Sequence, residues 1–298
     1  MIWIITIYGQ FQKTDKPVML CYMEWPWIVI AGIMIIERLC KIMAECIFCQ
    51  RKEKQGTNMK LQQLMSYTRR AIDDYSLIEE GDHIAVGISG GKDSLSLLYS
   101  LAGLRRFYPH KFQLSAIMVN LGFGHMDLSK ISELCQELEV PFYEVKSEIG
   151  KIIFEDRKES NPCSLCAKMR KGALNTRAKE IGCNKVAYAH HKDDFVETVL
   201  LSLIFEGHFY VFPPKTYLDR MDLTVIRPFL YLEERDIVGF CNKYDLPVQK
   251  NPCPADGHTK REYAKNLVHT LDREHPGARD RIFHAILSSD LKGYGNIM

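Results

Sequence analysis

Residues 83–104 read HIAVGISGGKDSLSLLYSLAGL, and this stretch decides the fold class. Its first part, His83 to Ile88, is short and apolar, which predicts a buried strand. The hexapeptide from Ser89 to Ser94 follows, and a run that is rich in leucine begins at Leu95. This order predicts a strand, then a phosphate-binding loop, then the start of a helix.

The two glycines of the loop explain why phosphate is the expected ligand. Gly90 and Gly91 have no Cβ, so backbone N–H groups can approach a phosphate closely and φ can be positive. The helix that opens near Asp93 adds the partial positive charge of its N-terminus. A plain glycine turn does not need Lys92, Asp93 and Ser94 together, and the Gly-x-x-x-x-Gly-Lys spacing of the Walker A loop is absent.

The composition of the 298 residues favours a reducing compartment. The formal net charge is only +2, so a surface for RNA has to be a local patch. The chain has 10 cysteines, which are too sparse for the disulfide scaffold of a small secreted module. We therefore expect a cytoplasmic protein in which some thiols are available for a metal.

The first 58 residues differ in character from the rest of the chain. Their uninterrupted apolar run, Trp25 to Ile36, is shorter than the ~20 residues that span a bilayer. The run also lacks the flanks of a cleaved signal peptide, so no membrane partner is expected. We expect residues 1–58 to be dispensable, an α/β nucleotide-binding domain over 59–250, and a helical region over 251–298.

Apolar patterns alternate between strand and helix from Leu61 onward. The predicted strands are 83–88, 114–120, 142–145, 185–189 and 225–228, and the predicted helices between them are 61–78, 93–104, 127–138, 167–181, 194–206 and 233–244. This alternation predicts an α/β fold with an open parallel sheet and helices on both faces. Two more helices, 260–273 and 278–288, close the chain, and residues 207–223 are expected to form a mobile functional loop.

A second polar cluster follows the predicted strand 185–189. His190, His191, Asp193 and Asp194 lie where that strand ends, and Glu197 follows on the same helix face as Asp194. The carboxylates could hold Mg²⁺ on a pyrophosphate, or they could form a capping box with a purely structural role. Because ligands collect beyond the carboxyl ends of parallel strands, this cluster and the phosphate loop are expected to face one crevice.

Cysteines form a third cluster. Cys163 and Cys166 are separated by two residues at the expected start of a helix that contains Arg170, and such surroundings lower the pKa of a thiol. The pair alone fits a redox pair or half of a zinc site. Cys253, between two prolines, is the natural third thiol, and three thiolates suit a 4Fe-4S cluster better than zinc, for which His258 would be a fourth ligand. Cys46 and Cys49 also have ligand spacing but lack a second pair.

Taken together, these motifs resemble a known group of enzymes. The phosphate loop is that of the PP-loop ATP pyrophosphatase superfamily, and residues 190–198, HHKDDFVET, resemble the second motif of its tRNA-modifying members. With the Cys163 pair, Pro-Pro-Lys at 213–215 and Ile-Arg-Pro at 226–228, the chain resembles the tRNA 2-thiocytidine synthetases, from about Met59 to Phe283. The late motif departs from the family, because it has one cysteine where a second Cys-x-x-Cys is common.

The resemblance implies an ATP-dependent tRNA sulfurtransferase, which adenylates the C2 oxygen of a tRNA pyrimidine and then replaces it with sulfur to form 2-thiocytidine. The cofactor-binding residues would be Ser89, Gly90, Gly91, Lys92, Asp93, Ser94, His190 and Asp194, with Asp93 placing Mg²⁺. The resemblance also implies that Cys163, Cys166 and Cys253 ligate a 4Fe-4S cluster, and that Asp93 and Arg170 act in catalysis. Cations expected to contact tRNA phosphates are Arg69, Arg70, Lys260, Arg261, Lys265 and Arg273.

Several alternatives remain open at this level. A 2-thiouridine synthase and a lysidine-type synthetase would share the loop and the adenylation step, and a non-enzymatic sensor of ATP and iron–sulfur state would share the ligands. The sequence does not identify the sulfur donor, for which a cysteine desulfurase or sulfide are the candidates. It also leaves open whether the protein forms a homodimer.

Overall fold

Six strands form one sheet in the part of the chain that the computed structural model describes, namely residues 57–123, 126–156, 162–249, 253, 260–291 and 293–294. The strands are β1 (His83–Ile88), β2 (Gln113–Asn120), β3 (Phe142–Lys146), β4 (Lys185–Ala187), β5 (Lys215–Leu218) and β6 (Leu223–Ile226). Their order across the sheet is β3-β2-β1-β4-β6-β5, and every neighbouring pair is parallel except β5 and β6. The predicted α/β fold is confirmed.

Strand β5 corrects the expectation that residues 207–223 form only a loop. Its residues Lys215 to Leu218 pair with β6 in antiparallel register, with Lys215 opposite Ile226. None of the four residues is fully buried, because β5 lies at the edge of the sheet. A partly solvated edge strand carries a mixed polar pattern, so the apolar runs that indicated the other strands did not indicate this one.

Helices cover both faces of the sheet. They are α1 (Leu61–Asp74), α2 (Lys92–Arg105), α3 (Ser129–Glu137), α4 (Pro162–Glu180), α5 (Lys192–Leu201), α6 (Glu234–Lys243), α7 (Lys260–Glu274) and α8 (Ala278–Leu287). A short helical turn, Ile149–Lys151, follows β3, and α5 continues as a wider π-helical turn over Ser202–Glu206. Helix α4 begins five residues before its predicted start, at Pro162, and proline is favoured in the first turn of a helix.

Side chains of β1 alternate between two hydrophobic clusters. Ile84, Val86 and Ile88 belong to the cluster with α2, whereas Ala85 belongs to the cluster that contains Leu174 of α4. A Cβ built on Gly87 would lie 2.9 Å from Leu174 Cδ1, so a glycine here allows α4 to approach the sheet closely. The sheet is therefore buried between helices on both faces, as expected for parallel strands.

The strand order creates a crevice at the carboxyl end of β1. From β1 the chain extends through β2 and β3 on one side, and then it returns to place β4 on the other side of β1. Such a reversal is where open α/β sheets bind ligands. The phosphate loop follows β1 at this point, and the residues after Ala187 follow β4 at the same edge.

Ion pairs connect the C-terminal helix α8 to the start of α5. Arg279 Nη1 lies 2.9 Å from Asp193 Oδ1, and Lys192 Nζ lies 2.6 Å from Asp280 Oδ1. The predicted C-terminal helices therefore contribute to the second polar motif. No helix in the described ranges is both long and apolar enough to cross a membrane. Cys46, Cys49 and His258 lie outside the described residues.

Candidate active site

The phosphate loop is held in shape by its own hydrogen bonds. The Ser89 amide donates to Ser94 Oγ at 3.1 Å, and that hydroxyl donates to the carbonyl of Gly91 at 3.0 Å. Gly90 has φ of +80°, a conformation that side chains disfavour, and Gly91 is the N-cap of α2. The loop thus presents the unpartnered first N–H groups of a helix beside a glycine turn, which is a general anion-binding arrangement.

Lys92 lies between two carboxylates. Its Nζ is 3.2 Å from Asp93 and 3.1 Å from Glu234 Oε1, and Lys265 Nζ is 2.7 Å from the other Glu234 oxygen. Burial opposes the charge on Lys92, but the two carboxylates outweigh it and raise its pKa. A cation is therefore maintained at the phosphate loop. Glu234 was not predicted as part of the site, because it lies on α6, far from the phosphate loop along the chain.

Three carboxylates surround the imidazole of His191, which is 5% exposed. Asp193 and Asp194 each approach it to 3.5 Å, and Asp93 Oδ1 lies 3.9 Å from Nε2. Burial disfavours the imidazolium, but Asp194, Asp193 and Asp93 together raise the pKa of His191 to about 9. The His191 amide also donates to Asp194 Oδ2 at 2.9 Å, so this motif caps α5 as well as facing the phosphate loop.

His190 experiences the opposite electrostatic environment. Burial lowers its pKa to about 3, with Asp194 opposing the shift and with the cations Arg227, Arg261 and Lys171 adding to it. Its ring also contacts Phe212, with centroids 4.6 Å apart. Two adjacent histidines therefore differ in charge at neutral pH, since His191 is protonated and His190 is neutral.

Arg261 of α7 reaches the carboxylates of α5. Its guanidinium lies 3.6 Å from Asp194 Oδ1 and 3.5 Å from Glu197 Oε2. Burial lowers the acidity of Glu197 and raises its pKa to about 7, with Asp194 adding to the shift and Arg261 opposing it. The sequence interpretation placed Arg261 among the cations for tRNA phosphates; in the structure it faces this carboxylate pair.

Two cavities open at the crevice. The larger, of about 690 Å³, lies over the ends of β1 and β2 and is lined by Val119, Asn120 and the segment 245–249. The smaller, of about 230 Å³, lies between β1 and β4 and is lined by Tyr188, His190 and Arg261. Ile88, Ser89, Val119 and Arg170 line both cavities, so the phosphate loop and α4 connect them.

The three predicted cluster cysteines lie near one another. Cys163 and Cys166 occupy the first turn of α4, and the thiol of Cys166 interacts electrostatically with both Cys163 and Cys253. The expected depression of thiol pKa is wrong for Cys166. Burial raises its pKa, the other two thiols add to the shift, and only Arg170 opposes it. The sequence showed the cations near this thiol but not its burial.

These thiols do not form a compact site for a single ion. Within the described ranges, no group of three or more His, Cys, Asp or Glu side chains has an arrangement that could hold a metal ion. Asp93 and Asp194, the carboxylates predicted to hold Mg²⁺, also belong to no such group. Arg170 lies one helical turn after Cys166, interacts electrostatically with that thiol and lines both cavities.

Comparison with known proteins identifies the family. The PP-loop domain family matches residues 55–271. A tRNA-cytidine(32) 2-sulfurtransferase from Geobacter sulfurreducens is 37% identical over 232 residues, which cover 77% of this chain and 90% of the relative. The chain belongs to the PP-loop family of tRNA 2-thiolation enzymes. The same-named protein from Geobacter metallireducens is 40% identical over 220 residues, which cover 73% of this chain and 86% of that protein.

A solved structure supports the fold of this tRNA thiolation enzyme. The U34-tRNA thiolase NcsA from Methanococcus maripaludis, described with its [4Fe-4S] cluster, superposes with a TM-score of 0.60. It shares 23% identity and covers 76% of this chain and 78% of its own. The recognition of the family from motifs is confirmed, as is the prediction of a PP-loop α/β fold.

The remaining cations predicted to contact tRNA are dispersed in this tRNA 2-thiolation enzyme. On α1, Arg69 pairs with Asp73 and Arg70 pairs with Asp74, both in exposed i,i+4 geometry. Such surface pairs contribute little to stability. The packing of α7 against α5 brings Arg261 to the crevice, whereas Lys260 lies over the ring of Phe205.

Proposed function

We propose that the protein is an ATP-dependent tRNA sulfurtransferase that replaces the C2 oxygen of a cytidine by sulfur. One observation carries this proposal: Arg170 lines both cavities beside the phosphate loop, and its charge also acts on the thiol of Cys166 one turn earlier on α4, so the loop and the thiols lie near the same arginine. The names of the relatives supply the substrate class, tRNA, and the expected target base, cytidine.

The larger cavity suits the adenosine of ATP. It extends from the phosphate loop along the backbone of Val119 to Leu121, and its opposite wall is the segment 245–249. Backbone groups beyond the end of a strand can read an adenine edge without charged side chains. Ser89, Gly90, Gly91, Lys92 and Ser94 would hold the phosphates, because their N–H, hydroxyl and ammonium groups converge at the start of α2.

The donor set fits an iron–sulfur cluster better than a single metal ion. The thiol of Cys166 interacts with those of Cys163 and Cys253, yet in the part of the chain that the structure describes the three are not arranged around one ion. A cluster is larger than an ion and prefers thiolate ligands. Cys163, Cys166 and Cys253 would hold it, and a bound cluster would supply a site at which sulfur is delivered. Arg170 opposes the raised pKa of Cys166 and so favours its thiolate form.

The residues of this chain would act on the substrates as follows. The C2 oxygen of the base attacks the α-phosphorus of ATP, and the bond to pyrophosphate breaks. The cations Lys92 and Arg170 stabilise the negative charge that develops on the phosphate oxygens. A sulfide-level nucleophile then adds at C2, and AMP leaves with the former C2 oxygen. Asp93 Oδ1 lies 3.9 Å from His191 Nε2 and 3.2 Å from Lys92 Nζ, so this carboxylate lies at the phosphate loop, where we propose that it helps to place Mg²⁺.

A product assay on the full chain tests this function. Under anaerobic conditions, protein with ATP, sulfide and tRNA should form AMP, pyrophosphate and 2-thiocytidine, the last identified by mass spectrometry of nucleosides. Asp93→Ala should abolish AMP formation while iron stays bound. Asp219→Ala is the matched control and should form AMP as wild type does, because Asp219 is an exposed carboxylate in the turn between β5 and β6 that lines neither cavity. Formation of 2-thiouridine instead, or no AMP with wild type, would refute the proposal.

A further inference from the structure

Exposed aromatic side chains gather where α5 ends and α7 begins. Phe205, Phe209, Tyr210 and Tyr263 are between 42% and 54% exposed. Together with Lys260 we refer to them as the aromatic ledge. Large aromatic side chains usually bury most of their surface, so several exposed ones in one place indicate an interaction site.

Direct contacts unite the residues from the two helices. The rings of Phe205 and Tyr263 lie with centroids 5.8 Å apart and planes inclined at 76°. Lys260 Nζ lies 4.9 Å from the centroid of the Phe205 ring. An aromatic face beside a cation is therefore presented as one surface.

The loop that carries Phe209 and Tyr210 is fixed to the end of α5. Gly207 ends the helical segment with φ of 68°, and the chain then folds back. The His208 amide donates to the carbonyl of Ser202 at 3.3 Å, and the Tyr210 amide donates to Ser202 Oγ at 3.1 Å. Ser202 itself is buried, so the backbone beneath this part of the ledge is well anchored.

The ledge is continuous with the smaller cavity. Lys260 precedes Arg261 on α7, and Arg261 lines that cavity and approaches Asp194 and Glu197. The same helix therefore presents one cation to the ledge and the next to the crevice. A chain that leaves the cavity along α7 would reach Lys260 and Phe205 first.

We propose that the aromatic ledge binds the unpaired nucleotides that flank the target base in the tRNA loop. This inference rests on the proposed function, and it names how the same site holds its substrate. Unpaired bases stack on aromatic side chains, and a neighbouring lysine neutralises the connecting phosphate. Leu203 and Ile204 are also exposed beside Phe205, but Lys260 over the Phe205 ring and Arg261 at the smaller cavity favour an anionic chain over a second copy of this protein as the occupant.

The test compares two RNAs on the full chain. One is an anticodon stem–loop, and the other is a closed duplex of the same stem. Phe205→Ala/Tyr263→Ala should weaken binding of the stem–loop by about tenfold or more, the expected effect of losing base stacking, and leave duplex binding unchanged. Lys260→Ala should weaken binding of both RNAs and reduce the salt dependence. Phe107→Ala, which is 54% exposed beyond the C-terminal end of α2, is the control.

Two results would overturn the inference. The double variant could bind the stem–loop as wild type does, or it could change only the molecular mass in light scattering, which would assign the ledge to self-association. The proposed function is tested separately in the same preparations, by 2-thiocytidine formation at saturating tRNA. Wild-type protein that forms no thiocytidine would refute the function, whereas active wild type with unaltered variant binding would refute the ledge alone.

Discussion

The backbone amide of Gln249 donates a hydrogen bond to the carbonyl of Gly90, with a distance of 2.9 Å. This bond joins the phosphate loop to the segment 245–249, which forms one wall of the larger cavity. Cys253 follows four residues later along the same chain. The loop expected to hold nucleotide is therefore bonded to a segment that ends four residues before the third thiol in the sequence.

Gly90→Ala should destabilise the protein and weaken ATP binding. Gly90 has φ of +80°, and a side chain in this region costs about 1 to 2 kcal/mol. The new Cβ would lie 3.5 Å from Gln249 Cβ, which is an ordinary contact, so backbone conformation alone should account for the loss. Denaturant unfolding and calorimetric titration with ATP measure the two effects.

Gly91→Ala is the matched control for that change. Gly91 has φ of −83°, which any residue adopts, and its Cβ would lie 3.4 Å from Ser89 Oγ. We expect its free energy of unfolding to stay close to that of wild type, while the methyl group still hinders the approach of phosphate. Equal destabilisation by the two substitutions would contradict the role of positive φ at Gly90.

Alanine at Cys163, Cys166 or Cys253 should remove iron and tRNA thiolation together. The thiol of Cys166 interacts with those of Cys163 and Cys253, and each of the three is at least partly exposed. Cys183→Ala is the control, because Cys183 is buried in the core and burial raises its pKa to about 11, which keeps it a neutral thiol. Iron analysis of anaerobically purified protein decides the outcome, and retention of iron in all three variants would disprove the cluster assignment.

Arg170→Ala should reduce thiolation by roughly 100-fold, a typical effect of losing one charge-stabilising group. Arg170 lines both cavities and interacts with Cys166, so it can act on the phosphate and on the thiols. Lys168→Ala is the control, since Lys168 is an exposed cation on the same helix that lines neither cavity. Single-turnover measurements of AMP and 2-thiocytidine check the result. Equal rates in the two variants would exclude Arg170 from the reaction.

The sequence predicted those parts of the site that follow directly from short motifs at strand ends. The phosphate loop, the histidine and carboxylate run after β4, and the family were recognisable because each is contiguous. Contacts between distant segments were not predictable, as the bond from Gln249 to Gly90 and the approach of Arg261 to Asp194 show. These depend on how α6 and α7 return to the crevice.

Burial was the other property that the sequence could not supply. The cations near Cys166 indicated a lowered pKa, but the position of this thiol against the body of the protein raises it. The edge strand β5 was missed for a related reason, because its polar residues resemble a loop until its pairing with β6 is known. Residue types near one another in the sequence could be recognised, whereas the burial of Cys166 and the pairing of β5 with β6 could be seen only in the folded structure.

Lys185→Met should strongly destabilise the protein without acting on the crevice. Lys185 is 3% exposed and lies at the amino end of β4, whereas the crevice lies at the carboxyl ends of the strands. Its Nζ is 2.7 Å from Asp82 Oδ2, and Asp82 is equally buried. Removing one partner of a buried ion pair leaves the other charge uncompensated, and it typically costs about 3 to 5 kcal/mol. Lys185→Met combined with Asp82→Asn should recover part of this loss, because no buried charge is then left without a partner.

Denaturant unfolding of the two single variants and the double variant gives the coupling energy, and strictly additive losses would contradict the pairing. Thiolation measured well below the unfolding transition should stay at the wild-type level, since neither residue lines either cavity.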